Sequence, residues 1–205
     1  MPANIGELQQ NPAQIQVMIQ MKKIDIQRLL DLAYGKGNTM LFGQLIENES
    51  SYTLYFERDF YQSKEAVFNA LTDPVIFSKW YPFATGEMDG QVGGLIKFDD
   101  GEGNLYQGVI TKFSLEDGFE FIEDGRDVMR MEISETNSGA KLHFNHTFSD
   151  LAWVVQTATG WHNCLNVFVQ IMNGQPPQWP LPDELVELTQ AYEAYFKEIK
   201  FKEVK

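Results

Sequence analysis

The chain has 205 residues, of which 43% are hydrophobic and 13% aromatic, so it can bury a core and is not expected to be disordered throughout. Its net charge of −13 at pH 7 argues against binding to nucleic acid or to an anionic membrane, because both require patches of lysine and arginine. A single cysteine, Cys164, excludes an internal disulfide framework.

The first predicted element is a helix in an N-terminal extension, residues 1–36. From Ala13 to Tyr34 no residue breaks a helix and the apolar residues keep a helical period, and Gly35 and Gly37 then end it. Its apolar face must pack on the rest of the chain or on a second copy, because soluble proteins rarely expose such a stripe.

Two strands are predicted next, over residues 39–47 and 51–60. One face of the second strand is apolar except for one charge, and its members are Tyr52, Leu54, Phe56, Arg58 and Phe60. Arg58 has two interpretations. Either it lies near the strand end and reaches water or an acidic partner, or it is a polar anchor at the mouth of a cavity.

Residues 63–82, SKEAVFNALTDPVIFSKWYP, are predicted to form two short helices. Ser63 suits the cap of the first helix, and Pro74 suits the first position of the second. The charges of this segment are mixed, so nothing in it indicates contact with DNA.

Between Gly86 and Phe148 the sequence predicts a meander of short strands. Clusters of glycine, aspartate and asparagine separate apolar, alternating runs at 95–99, 105–113, 119–122, 128–133 and 142–148. Short loops between neighbouring strands imply antiparallel pairing. With the first hairpin, the prediction is a sheet of about six or seven strands.

The longest helical pattern runs from Leu151 to Met172. Ser149 is positioned to cap it and Gly174 lies just past its end. Its apolar face is spaced at steps of three and four, with the members Val154, Ala158, Trp161, Leu165, Phe168 and Met172. Such a helix, roughly 33 Å long, needs a large apolar surface, which the sheet supplies. We therefore predict an α+β layer fold.

A C-terminal extension, residues 181–205, follows a proline-rich linker. It carries a last amphipathic helix, whose apolar side includes Leu188 and Tyr192. We predict that the two terminal helices are accessory packing elements or the contact surfaces of a homodimer, since both carry apolar stripes that must be covered.

Several motifs in these elements match a known family. In chain order they are FERDF, EAVFNALTDPVIFSKWYP, Gly93-Gly94, NLYQGVI, GAKLHFNHTF and GWHNCLNVF. Over residues 39–174 the chain resembles the START-like (SRPBCC) superfamily, and within it the branch named for the activator of heat-shock protein 90 ATPase. The resemblance implies a helix-grip domain at 37–180: a curved antiparallel sheet wrapped around a long C-terminal helix, with a cavity between them.

The possible metal ligands and nucleophiles are not grouped by the sequence. His143 and His146 are three apart on a strand and point to opposite faces. His162 and Cys164 are two apart on a helix, and the cysteine has no basic neighbour to lower its pKa. We therefore expect no metal, no cofactor and no catalytic residue.

The predicted cavity lining combines the apolar face of the long helix with inward residues of the strands. Its members are Arg58, Tyr106, Met129, Met131, Phe144, His146, Trp161 and Leu165. Each belongs either to the core or to the cavity wall, and His146 is either a core histidine bonded to one partner or a ligand contact. Arg58 and His146 are the basic members, which favours an apolar ligand with one polar or anionic end.

Three functions follow. The superfamily implies non-catalytic binding of a small hydrophobic or amphipathic molecule, and the branch name implies partnership with a chaperone in the stress response. A cyclase- or hydratase-like enzyme is the third, although the sequence offers no convincing acid/base pair. With no signal peptide expected and no apolar run near the roughly 20 residues that cross a bilayer, the sequence predicts a cytoplasmic protein.

Overall fold

The structure, a computed structural model, describes residues 42–202, with side chains as far as Lys197. The helix predicted between Ala13 and Tyr34 lies outside this range, and so do the first residues of the strand predicted at 39–47. Within the range the chain forms eight strands and four α-helices, which is the predicted α+β class.

The strands and helices are numbered here in chain order. The strands are β1 (Gln44–Glu47), β2 (Tyr52–Phe60), β3 (Ala84–Met88), β4 (Leu95–Asp99), β5 (Leu105–Ser114), β6 (Gly118–Glu123), β7 (Asp127–Thr136) and β8 (Gly139–Phe148). The helices are α1 (Lys64–Thr72), α2 (Pro74–Trp80), α3 (Val154–Met172) and α4 (Pro182–Lys202). A single 3₁₀ turn, Leu151–Trp153, leads into α3.

The eight described strands form one curved, open antiparallel sheet in the order β1-β2-β8-β7-β6-β5-β4-β3. The strands from β3 to β8 follow one another as a meander, and β2 returns to pair with β8. Strand β3, with the sequence ATGEM, was not predicted. Its alternation is weak because Gly86 lies at its centre and only its ends are apolar.

The hairpin between β6 and β7 turns through Asp124 and Gly125, which both have positive φ, 48° and 68°. The N–H of Arg126 donates to the carbonyl of Glu123 at 3.0 Å and closes the turn, and residues 124–126 form a short loop between the two strands. Glu123 and Asp127, on either side of this loop, lie directly opposite each other.

The two short helices are capped as predicted. Ser63 Oγ accepts from the N–H of Ala66 at 3.2 Å and begins α1. Asp73 Oδ1 accepts two N–H groups at 2.9 Å and begins α2, where Pro74 occupies the first turn. The inward side chain of Trp80 is fully buried, so these helices close one side of the core.

Helix α3 carries the core of the domain. Four of its six predicted apolar positions are buried, and the two at its ends are partly buried and pack against the core. The cap differs from the prediction, because Asp150 rather than Ser149 accepts the N–H of Ala152, at 2.8 Å. Gly174, with φ 71°, follows the end of the helix, as predicted.

The C-terminal helix α4 packs on the domain through an aromatic group. Tyr192 is fully buried, and its hydroxyl lies 2.9 Å from Nδ1 of His162 while accepting the N–H of Gly43 at 2.9 Å. Tyr195 stacks on Phe42, with ring centroids 5.3 Å apart. Part of the apolar face of α4 is therefore covered within the chain. The domain boundary at residue 180 stays a prediction.

None of the helices in the described part of the chain combines the length and apolar character that spanning a membrane requires.

Candidate functional site

A cavity of about 570 Å³ lies between the sheet and the N-terminal end of α3. Its walls come from β5, the β6–β7 hairpin, the end of β8 and the first turns of α3. The lining residues are Tyr106, Glu123, Asp124, Arg126, Asp127, His146, Phe148, Ser149, Asp150, Trp153 and Thr157. The volume is within the range of pockets that hold small organic molecules.

Of the residues that the sequence placed in the lining, Tyr106 and His146 border this cavity. Four others are fully buried between the sheet and α3: Met129, Met131, Phe144 and Leu165. Trp161, 6% exposed, lies behind the wall and touches His146. A role for these core side chains in ligand contact stays a prediction.

Arg58 occupies a different place from His146. It is 3% exposed, its Nη1 donates to the carbonyl of Glu57 at 2.8 Å, and its Nη2 donates to Oδ1 of Asn166 at 3.1 Å. These contacts hold the guanidinium against the C-terminal half of α3, and Arg58 is not among the residues that line the cavity.

His146 is held at both ring nitrogens. The indole N–H of Trp161 donates to Nδ1 at 2.8 Å, and Nε2 lies 3.1 Å from Oδ2 of Asp127. Because an indole nitrogen only donates, Nδ1 must accept, and the proton of the neutral ring is on Nε2, where it is donated to Asp127. The histidine therefore has two partners as well as a place in the cavity wall.

Glu123 is the carboxyl group most withdrawn from water in this wall. The hydroxyl of Tyr81 donates to its Oε2 at 2.9 Å, and Tyr106 lines the same part of the cavity. Burial raises the pKa of Glu123, and the hydroxyls of Tyr81 and Tyr106 offset this only in part. The carboxyl group therefore holds a proton more strongly than an exposed glutamate does.

The polar side of the cavity is anionic. It carries four carboxylates, and the single guanidinium, on Arg126, forms an exposed ion pair with Asp124. Aromatic rings line the rest, and Trp153 among them is 68% exposed. The sequence led us to expect a largely apolar lining. The observed lining is mixed, because the hairpin and the start of α3 bring their polar ends into it.

Nine of the eleven lining residues were not predicted as site residues, among them Glu123, Asp127, Asp150 and Trp153. The segment 123–125 was expected only to form a turn between strands. The available signal was its Asp-Gly pair, which indicates a tight hairpin turn and therefore brings the residues on either side of the loop close together.

Other reactive groups lie away from the cavity or in unreactive surroundings. Burial raises the pKa of the Cys164 thiol to about 12, so the thiolate that nucleophilic chemistry needs is scarce. Burial, with the nearby Arg58 charge, lowers the pKa of His162 well below its ordinary value, so this ring is neutral. Within residues 42–202 no cluster of three or more histidine, cysteine, aspartate or glutamate side chains is arranged to hold a metal ion.

A family model described as "Activator of Hsp90 ATPase homolog 1-like protein" matches residues 62–173, more than half of the chain. The match begins just before α1 and ends just after α3, so it includes the hairpin and every residue of the cavity lining. No curated protein matches the sequence.

Solved structures share the fold at low sequence identity. A conserved protein of unknown function from Enterococcus faecalis is 14% identical, with a TM-score of 0.65 over 84% of this chain and 96% of that one. CalU16 from Micromonospora echinospora is 19% identical, with a TM-score of 0.59 over 77% and 94%. The Aha1 dimer from Colwellia psychrerythraea is 18% identical, with a TM-score of 0.50 over 58% and 95%. These likenesses confirm the predicted helix-grip fold.

Proposed function

The chain belongs to the family of Activator of Hsp90 ATPase homolog 1-like proteins, and from this premise we propose that it binds a small amphipathic molecule without transforming it. The observation that carries the proposal is the cavity of about 570 Å³ at the start of α3. Aromatic rings on one side and hydrogen-bonding groups on the other suit a ligand with an apolar body and one polar end.

The polar groups of the cavity are fixed before any ligand arrives. Trp161 and Asp127 hold the ring of His146, and Tyr81 holds Glu123. Fixed groups lose little conformational freedom on binding, so more of the interaction energy remains as affinity. This supports recognition of a defined polar group rather than loose adsorption.

The first experiment is native mass spectrometry of the freshly purified full chain, followed by mapping of amide shifts by NMR. A retained molecule supports the proposal when its removal and return shift amides of residues 123–127 and 146–157. Shifts confined to other surfaces, or none at millimolar ligand, contradict it.

A matched pair of variants separates the cavity from the surface of the same helix. Thr157 lines the cavity, whereas its neighbour Gln156 is exposed and does not. We expect Thr157→Phe to fill part of the cavity and to weaken binding, and Gln156→Phe to leave the affinity unchanged. Equal affinities in the two variants would place the ligand elsewhere.

A second candidate function is stimulation of a chaperone ATPase, which the description of the matching family favours. The test is the ATPase rate of purified heat-shock protein 90 with and without the full chain. A rate that rises with the concentration of the chain and saturates supports this function, and an unchanged rate excludes it for that chaperone.

The Aha1 protein from Colwellia psychrerythraea is a dimer in its solution structure, and we propose that this chain also forms a homodimer through its terminal helices. The first turns of α4 and the linker before them expose the apolar residues Trp179, Leu181, Leu185 and Val186. Analytical ultracentrifugation of the wild type and of Leu181→Asp tests this. A monomer in both samples contradicts the proposal.

A further inference from the structure

Three of the four carboxylates of the cavity are held by hydrogen bonds rather than by ion pairs with lysine or arginine. Glu123 accepts from Tyr81, Asp127 from His146, and Asp150 from the N–H of Ala152. In the part of the chain that the structure describes, none of these three carboxylates has a lysine or arginine at ion-pair distance. Their charge is therefore not neutralised locally.

The guanidinium of Arg126 does not neutralise the charge of these three carboxylates. It pairs with Asp124 at the rim, its side chain is 78% exposed, and it acts on Asp127 only over a longer distance. Exposed pairs of this kind are weak and screened by salt. The interior of the cavity therefore keeps a negative potential, to which the net charge of −13 adds.

The aromatic rings of the cavity, like its negative potential, favour a positively charged ligand. Trp153 is 68% exposed at the start of α3, and Tyr106 and Phe148 lie on the facing strands. Aromatic faces attract organic cations, and indole attracts them most strongly. A carboxylate ligand would instead face like charges and lose its hydration, at a large cost.

From these contacts we infer that the polar end of the ligand is an organic cation, an ammonium group on an apolar body, and not an anion. The inference rests on the binding function proposed above and assigns its ligand class. It also replaces the anionic end expected from the sequence, since Arg58 is held by Asn166, away from the cavity. An inorganic cation is disfavoured, because residues 42–202 offer no cluster of metal ligands.

The test compares three molecules that share one apolar body: phenylpropylamine, phenylpropanol and phenylpropionate. Each is titrated into the full-length chain at neutral pH and low salt, with calorimetry for the affinity and amide shifts for the location. We expect the amine to bind at the cavity about tenfold more tightly than the alcohol, as for a charge-assisted hydrogen bond, and the propionate to bind most weakly.

Two variants of strand β6 separate the cavity charge from the charge of the whole protein. Glu123→Gln removes a carboxylate inside the cavity and keeps an acceptor for Tyr81. Glu120→Gln removes one on the opposite face, where Glu120 contacts Lys112 at 3.4 Å and Arg130 at 3.8 Å. We expect the first variant to bind the amine about 3- to 10-fold more weakly and the second to bind it normally.

The possible outcomes test the inferred charge of the ligand separately from the proposed binding function. If the propionate binds the cavity as tightly as the amine in the wild type, the charge inference is overturned and the binding function stands. If both variants lose amine affinity equally, the preference comes from overall charge and the inference is again overturned. If none of the three molecules shifts the cavity amides at millimolar concentration, the binding function itself fails. Should Glu123→Gln not fold, the wild-type comparison still decides.

Discussion

The indole nitrogen of Trp161, on the buried face of α3, donates a hydrogen bond to Nδ1 of His146, 2.8 Å away on strand β8. The same indole stacks on Tyr81, with ring centroids 5.1 Å apart and planes 5° from parallel. Tyr81 in turn donates to Glu123. Trp161 thus contacts both His146 and Tyr81, which hydrogen-bond to Asp127 and Glu123 in the cavity wall.

We expect Trp161→Ala to lower the free energy of unfolding by about 3–5 kcal/mol, because it empties a large buried volume. Trp161→Phe should cost about 1–3 kcal/mol, since it leaves Nδ1 of His146 without its donor. Chemical denaturation measures both. The control is Trp153→Phe, at a side chain that is 68% exposed, with an expected change below about 0.5 kcal/mol. A loss below about 1 kcal/mol for the alanine variant contradicts the role of Trp161 in the core.

Glu123 should make stability depend on pH. Because its pKa is raised in the folded state, the folded chain holds this proton more strongly than the unfolded chain. The free energy of unfolding therefore falls as the pH rises from the ordinary glutamate pKa through the raised one. We expect Glu123→Gln to be at least as stable as the wild type at neutral pH, with an advantage that shrinks towards about pH 4. Urea denaturation over this range measures it.

Glu57 provides the control of opposite sign. Its pKa is lowered, mainly by the hydrogen bond from Tyr55 and then by Lys141. It therefore contributes stability above the ordinary glutamate pKa, and this contribution is lost as the pH falls through the lowered pKa. Its side chain is 30% exposed, so Glu57→Gln should cost less than about 1 kcal/mol at neutral pH and nothing in acid. Parallel pH profiles for the two variants would contradict the assignment.

The hydroxyl of Tyr192 should fasten α4 to the domain. Tyr192→Phe removes a group that contacts both Gly43 N–H and His162 Nδ1, so we expect a loss of about 1–3 kcal/mol in chemical denaturation. The matched control is Tyr195→Phe, three residues along the same helix, whose ring stack on Phe42 survives the change. Truncation after Pro180 should lower the midpoint further. An unchanged midpoint would make α4 an accessory element, as predicted from the sequence.

Cys164 should be unreactive in the folded protein. It is 5% exposed, and burial raises the pKa of its thiol to about 12. We expect no reaction with Ellman's reagent under native conditions and one equivalent after unfolding in guanidinium chloride. Because the sequence has a single cysteine, the count is unambiguous. Rapid reaction of the native protein would show that α3 opens locally.

Alternation along strands predicted which face each side chain occupies, and this part of the site followed from the sequence. His146 points inward and meets Trp161, whereas His143 lies on the outer face beside Tyr55 and Ser134. The motifs of the family then supplied the order of the elements. Strand β3 was not predicted because its five residues show too little alternation of apolar and polar side chains.

Position along a strand did not follow from alternation, and this is why the predicted lining was incomplete. Arg58 shares a face with His146 but pairs with Leu142, four residues away and therefore about 13 Å along β8. Glu123 and Asp127 were missed for the complementary reason. Their place is set by the β6–β7 hairpin, which borders the cavity together with the first turns of α3 although the two segments are distant in sequence.

The tight turn at Asp124 and Gly125 has a consequence for how the sequence of this protein can change in evolution. The turn stands at the rim of the cavity with open space around Gly125, and the apolar residues that hold the sheet on α3 lie elsewhere. Substitutions at Arg126, whose side chain is 78% exposed, can therefore alter the charge at the cavity rim at little cost to folding. If the proposed ligand binding holds, the ligand preference of this domain can be changed through this hairpin without rebuilding the core.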